Sequence, residues 1–299
     1  MTRTALLALL FSGLATALGS TAAQAQNGVS CGSGGSAKQL ESVILTTDQR
    51  LLCYREGSNK ARILGTIAGL NAGETLVGID YRPANGMLYG MGSLGGVYSL
   101  ASASGTVTAT LVSTAVDIVA GTPIVLSGTS FGVDFNPVPD RLRIVSDAGQ
   151  NLRINVDTGQ TNVDGALNVA GAPTLGVTAA AYTNNDADAG TLTVLNVLNT
   201  NADQLVIQAP PNAGTQNPVG ALRVDSGAAT GFDIFSTIKD GTTVALRGLA
   251  LLPSTAADGT TSTQLYKVNL ASGAVTPTKR GNFGALPLLG LAIPLTQGK

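Results

Sequence analysis

Short apolar runs follow one another along this chain, broken by Gly, Asn, Asp or Pro roughly every ten residues. Within the runs apolar and polar positions alternate, so one side of each segment faces a core and the other does not, which is the two-residue period of a β-strand. GIDY, LYGMG, VYSLAS and TVTATL come in succession between Gly78 and Leu111. FGVDF, RLRIVS and NLRINV do so between Phe131 and Val156. Long amphipathic helical stretches are absent, and the pattern predicts an all-β chain.

The strands also repeat. Laying GIDYRPANGMLYGMGSLGGVYSLASASGTVT over GVDFNPVPDRLRIVSDAGQNLRINVDTGQT brings Asp80 onto Asp134, Pro83 onto Pro137, Leu88 onto Leu142 and Gly105 onto Gly159, all at one offset of 54 residues without a gap. Self-similarity at such a period marks stacked supersecondary units. Each unit reads as four antiparallel strands, the make-up of one propeller blade. Looser copies contain AAYTNN and GFDIFS. The last apolar run, LLGLAIPL, resembles a first strand, and the segments SVILTT, RLLCYR and ARILGTI resemble three strands lacking one. Joining those ends closes a ring and removes exposed sheet edges. Tyr81, Phe135, Tyr182, Ile234 and Ile293 then mark five inner strands, spaced 54, 47, 52 and 59 residues apart. Five blades are favoured, with six if Ala245 to Thr263 hides further strands. A two-sheet sandwich is the alternative, though it would not produce the gapless repeat.

The first residues add a compartment. Arg3, an apolar run from Ala5 to Leu18 and the triplet Ala23, Gln24, Ala25 have the order of a secretory signal peptide cleaved after Ala25. A Gly/Ser-rich segment, 26–40, is expected to be flexible, followed by a single domain from 41 to 299. Removing 25 residues from 299 leaves 274, and losing Arg3 leaves 16 basic against 18 acidic side chains. That near-neutral balance attracts neither nucleic acid nor an anionic membrane. The expectation is an exported monomer, periplasmic or extracellular, without a membrane span after cleavage. Cys31 and Cys53 are the only cysteines. In an oxidising compartment such a pair is expected to form a disulfide, closing a loop of 23 residues.

GIDYRPANGMLYG, FGVDFNPVPDRLRIVSDAGQNLRINVDTG, AAYTNN, QAPPNAGT and LYKVNLASG, in this order, resemble the exported family called domain of unknown function 4394. The resemblance covers most of the mature chain. It implies fold and export, and it brings no catalytic residue with it.

Charge is sparse, at 12% of residues, yet DRLRIVSDAGQNLRINVDTG gathers Arg141, Arg143 and Arg153. With a turn at Asp147 to Gly149, Arg143 falls opposite Arg153, and like charges so placed destabilise a strand pair. An adjacent carboxylate, with the inner-strand aspartates as candidates, or an external anion would balance them; internal pairing is favoured because buried charges need partners. Ligand-binding candidates are therefore Arg141, Arg143, Asn151 and Arg153 and, separately, Gln208 and Asn212 in the proline-stiffened loop QAPPNAGTQNP, for which a rigid connector is the favoured reading. Asp80, Asp134 and Asp233 recur at one position of the inner strand. Accepting hydrogen bonds from the next blade's backbone or from an arginine is their structural role, and a channel-side cation site, Ca2+ for example, is the functional one. GMGSLG, Gly90 to Gly95, fits a nucleotide-loop pattern but runs into a strand, so it reads as a hairpin. NNDADAG, Asn184 to Gly190, lacks the sixth-position Gly and twelfth-position acid of a calcium loop and reads as an Asx turn.

The chain has no histidine, and its cysteines are expected to be oxidised, so Ser-His and Cys-His chemistry is excluded. The favoured function is a binding or interaction module of the cell envelope, meeting a small ligand or a partner protein. The enzymatic alternative is a metal-dependent propeller hydrolase or lactonase using the channel aspartates.

Overall fold

A computed structural model describes residues 28–32 and 38–297; the expected signal peptide, 1–25, lies outside the described residues. Strands β1 (Glu41–Thr46), β2 (Arg50–Arg55) and β3 (Arg62–Ala68) pair antiparallel in chain order. The far C-terminal strand, β23 (Leu288–Ala292), pairs with the open side of β1, Val43 opposite Ala292. Strands β4 (Leu76–Tyr81), β5 (Leu88–Gly92), β6 (Gly96–Ala103) and β7 (Thr106–Thr114) form the next meander. It joins the first through a parallel pairing of the outer strands, Thr66 opposite Thr106.

The third sheet holds β8 (Val116–Asp117), β9 (Phe131–Asn136), β10 (Arg141–Ser146), β11 (Asn151–Ile154) and β12 (Gln160–Val163). A short ribbon of β13 (Asn168–Val169) and β14 (Ala172–Pro173) leads to the fourth sheet. That sheet consists of β15 (Val177–Tyr182), β16 (Leu195–Asn199), β17 (Gln204–Gln208) and β18 (Gln216–Ala221). The fifth consists of β19 (Gly231–Lys239), β20 (Thr242–Thr255), β21 (Thr261–Val268) and β22 (Val275–Asn282). The segment from Ala245 to Thr263 belongs to the long β20–β21 hairpin and adds no further strand.

The turns follow from local chemistry. Ser104-Gly105 joins β6 to β7 and Asp240-Gly241 joins β19 to β20, each pair with positive φ at both residues. That is the type I′ geometry, whose twist matches the flanking strands.

Apolar side chains project from both faces of each sheet, and each seam between neighbouring sheets has its own core. Val43 and Leu45 meet Tyr81 and Leu88; Met91 and Val97 meet Phe135 and Ile144. Val145 meets Tyr182 and Val197, Leu205 meets Phe232 and Leu252, and Phe235 and Leu249 meet Ile44 and Leu52. The arrangement is propeller-like and all-β. Strands β4, β9, β15, β19 and β23 touch in that order, and β23 also touches β4.

Cys31 and Cys53 form a disulfide, their Cα atoms 5.6 Å apart. Part of the Gly/Ser-rich segment is packed rather than loose: Val29 and Cys31 are buried, and the Val29 carbonyl accepts a hydrogen bond from the Tyr81 hydroxyl. Among the described residues no helix is long and apolar enough to cross a membrane.

Small residues set how closely the inner strands approach. A Cβ on Gly132 would lie 2.5 Å from the Ala180 nitrogen, and one on Gly231 2.7 Å from the Leu291 nitrogen. On Gly290 the nearest atom would be 3.6 Å away, an ordinary contact. Gly132→Ala is therefore expected to lower the melting temperature by about 4 °C or more, since overpacking costs about 1–3 kcal/mol. Gly290→Ala should melt within about 2 °C of wild type. Equal melting of the two variants in a thermal scan would refute the close approach.

Candidate functional site

The aspartates recurring in the sequence meet at the centre. Asp80 on β4, Asp134 on β9 and Asp233 on β19 are buried, and each offers a carboxylate oxygen within 4.8 Å of the other two. Each also reaches across to the following inner strand. Asp80 accepts the Phe135 N–H at 2.7 Å, Asp134 accepts that of Tyr182 at 2.8 Å, and Asp233 accepts that of Ile293. The sequence-based structural role, accepting hydrogen bonds from the next blade, is the geometry seen. β15 and β23 carry Ala181 and Ala292 at this position. Burial, followed by repulsion from the neighbouring carboxylates, holds Asp80 and Asp134 far above the usual carboxylate range, and burial pushes Asp233 up to about 7. No lysine or arginine side chain is hydrogen-bonded to the three among the described residues, so their oxygens could serve as ligands for a hard cation.

The arginine cluster lies on the third sheet. β10 and β11 set Arg143 opposite Arg153, as the turn chemistry required. Asp134 is opposite Arg143 in the backbone register, yet its carboxylate is engaged by Tyr182. The inner-strand aspartates are thus not the counter-charge expected from the sequence. That role falls to Asp164, just beyond β12. One of its oxygens accepts Arg143 Nη1 and Arg153 Nε, each at 2.7 Å, and the other accepts Arg153 Nη2 at 3.0 Å. Like-charged neighbours are tolerated because one carboxylate bridges both.

Arg143, only 1% exposed, also donates to the Tyr182 hydroxyl, Asn151 Oδ1 and Asn212 Oδ1. Asn151 donates in turn to the Gly165 and Pro211 carbonyls, and Gln208 donates to Asn151 Oδ1 and the Pro211 carbonyl. Gln208 and Asn212, expected only as a loop apart from the arginines, meet Asn151 at the cluster, where the three act as its internal scaffold and tie the 3-10 turn Pro211–Ala213 to the third sheet. Among the described residues Arg141 donates to the carbonyls of Pro139 and Asp140. It flanks a cleft of about 290 Å³ with Arg153, Arg143, Tyr182, Pro211 and Asn212. A larger chamber of about 660 Å³ opens where Tyr81, Glu41 and Asn185 face the N-terminal segment.

Two further clamps escaped the sequence reading. Arg82 binds Asp140 and Asp157 through paired hydrogen bonds, joining the second sheet to the third. Arg247 on β20 pairs with Glu56 after β2, joining the fifth sheet to the first. The available signal was the repeat itself, in which Arg82 takes the place of Asn136. The amides of Leu94, in GMGSLG, and of Gly96, just after it, are taken by the buried Glu74 carboxylate, so this hairpin does not present them to a phosphate. In NNDADAG, Asp186 and Asp188 accept backbone amides within the turn, and Asp186 also accepts from Thr243.

The family model described as Domain of unknown function (DUF4394) matches residues 52–292. The chain belongs to this family. No curated protein matches this DUF4394 member. Among solved structures it is similar to a putative 6-phosphogluconolactonase from Bacteroides uniformis, at 12% identity over 85% of this chain and 99% of that one, with a TM-score of 0.39. Glutaminyl cyclase from Myxococcus xanthus is 10% identical, over 85% and 96%, at 0.39. BamB from Moraxella catarrhalis is 12% identical, over 83% and 79%, at 0.30. Likeness at this level does not indicate what a DUF4394 chain binds.

A carboxyl whose pKa is higher folded than unfolded stabilises the fold while protonated. That contribution is complete below about pH 4 and is lost as pH rises through the folded value, about 7 for Asp233. With chelator present, the melting temperature is expected to fall by at least about 5 °C between pH 5 and pH 8. Asp80→Asn, which keeps an acceptor for Phe135 but removes one charge, should flatten that slope. A wild-type profile flat across this window would refute the assignment.

Proposed function

We propose that the chain is an exported five-bladed β-propeller, closed by β23 joining the N-terminal blade, and that it serves as a binding module of the cell envelope. Its small anionic ligand sits in the cleft of Arg141 and Arg153. The disulfide supports export to an oxidising compartment, and the cyclic contact of the inner strands supports the blade count. One observation carries the ligand reading: three guanidinium groups line one cleft, and among the described residues a single carboxylate, Asp164, ion-pairs with Arg143 and Arg153 while Arg141 forms no ion pair. Asp140 and Asp157 are engaged by Arg82.

The groups around the cleft are donors rather than bases. Arginine, asparagine and tyrosine orient an anion, whereas proton abstraction needs a group that can take the proton. That favours recognition over turnover. Arg143 is the buried clamp under the cleft, and Arg141 and Arg153 carry the ligand. Thermal-shift titration with inorganic phosphate and small mono- and dicarboxylates is expected to show saturable stabilisation by at least one of them. Arg141→Gln should abolish it while melting like wild type, whereas Arg143→Gln should lose about 3–5 kcal/mol of stability. Stabilisation that survives Arg141→Gln would remove the cleft from consideration.

The central carboxylate trio supports a second reading, a cation site of the kind a metal-dependent hydrolase or lactonase would use. Calcium is expected to raise the melting temperature in that case, and Asp134→Asn to cancel the rise. No shift at millimolar calcium would dismiss it.

A further inference from the structure

Positive charge is distributed unevenly over the surface. Of the chain's 17 lysines and arginines, Lys38, Arg55, Lys267, Lys279 and Arg280 gather at the seam where the fifth sheet meets the first. Three of them, Lys38, Lys267 and Lys279, line a groove of about 330 Å³ together with Gln39, Thr276 and Thr278. Arg280 is placed beside it by its carbonyl, which accepts the Tyr54 hydroxyl at 2.9 Å. Arg55 ends β2 opposite Glu41. The carboxylate in the groove, Glu56, is buried and already held by Arg247 at 2.6 Å and by the Leu40 amide. Lys267 approaches it only to 3.8 Å. Lys38, Lys279 and Arg280 form no ion pair among the described residues, and all three are exposed.

We infer that this groove is a docking site for an acidic polysaccharide, separate from the arginine cleft of the third sheet. The reasoning is one of charge complementarity. Three lysines line the recess against one carboxylate, Glu56, which Arg247 and Lys267 already share, so a net positive charge is left there for a polyanion, whose several weak contacts along one chain release several counterions together. The polar residues between the lysines suit a sugar backbone. The hydroxyl of Thr276 can bond to ring hydroxyls, while the ammonium groups act as point charges for carboxylate or sulfate. A recess fits a polymer strand better than a flat bilayer, and Tyr54 beneath the groove is buried, so it offers no face on which bases could stack.

The test uses the mature protein and four surfaces: polygalacturonate, dextran sulfate, neutral dextran and phosphatidylserine vesicles, read by biolayer interferometry. Binding to the two acidic polymers and not to neutral dextran is expected, with affinity falling by about tenfold or more between roughly 50 and 200 mM salt. Combined Lys38→Gln, Lys267→Gln and Lys279→Gln should weaken it by about tenfold or more without altering the melting temperature. Arg141→Gln, in the cleft, and Lys239→Gln, at the β19–β20 turn, should leave it unchanged. Loss of binding with Arg141→Gln would overturn the groove while supporting the cleft. No binding by wild type, an unaffected triple variant, or vesicles bound in preference to polymer would each overturn the proposal.

Discussion

The closest constraint in this structure is the backbone-to-backbone approach of the inner strands at Gly132 and Gly231. With no side chain there, one inner strand lies against the next, and the space on the axis shrinks to about 10 Å³, room for about one water. Three consequences follow. A ligand of any size is pushed from the axis to the mouths and seams. Strand amides end up buried at the centre and need acceptors. Those acceptors, the carboxylates of Asp80, Asp134 and Asp233, end up buried together.

Further from the axis the sheets diverge, and glycine contact can no longer join them. Apolar clusters fill each seam, and arginines bridge several of them: Arg82 to Asp140 and Asp157, Arg143 to Asn212 and Tyr182, Arg247 to Glu56. Guanidinium suits this work because its donors spread in a plane wide enough to reach two acceptors at once. A bridge of this kind is weak evidence for stability by itself, since desolvation offsets much of the attraction. Its value is geometric, because each arginine fixes the angle of one sheet against the next. The third-sheet bridge also leaves two neighbouring guanidinium groups only partly used, and the cleft forms over them.

Much of this was legible in the sequence, and the limits have a physical cause. Alternation and a gapless 54-residue offset reveal strand order, and turn chemistry alone places Arg143 opposite Arg153. These are relations inside one sheet, where side-chain period and hairpin length determine the partner. Relations between sheets have no such rule. The counter-charge for Arg143 turned out to be Asp164, from a loop, because Asp134 already served a backbone amide. Glu56 and Arg247 are 191 residues apart and meet only because β23 returns to β1. Gln208 and Asn212 lie more than fifty residues from Asn151 and meet it at the cluster only through the packing of the third and fourth sheets, and from sequence a buried scaffold and a ligand-facing set look alike.

The alanines at the inner-strand position explain why the aspartate ring is incomplete. Every carboxyl added to this centre is buried beside others and must remain protonated or be matched by a cation, so the cost grows with each. Two amides have no aspartate on the preceding strand, those of Ile234, after Ala181, and Tyr81, after Ala292. The first is served locally, Ile234 N–H by Asp233 of its own strand. An aspartate can accept from its own strand and the next because a carboxylate has two oxygens and several lone pairs. Three carboxyls therefore satisfy four amides, and alanine at the other two positions keeps further charge out of the centre.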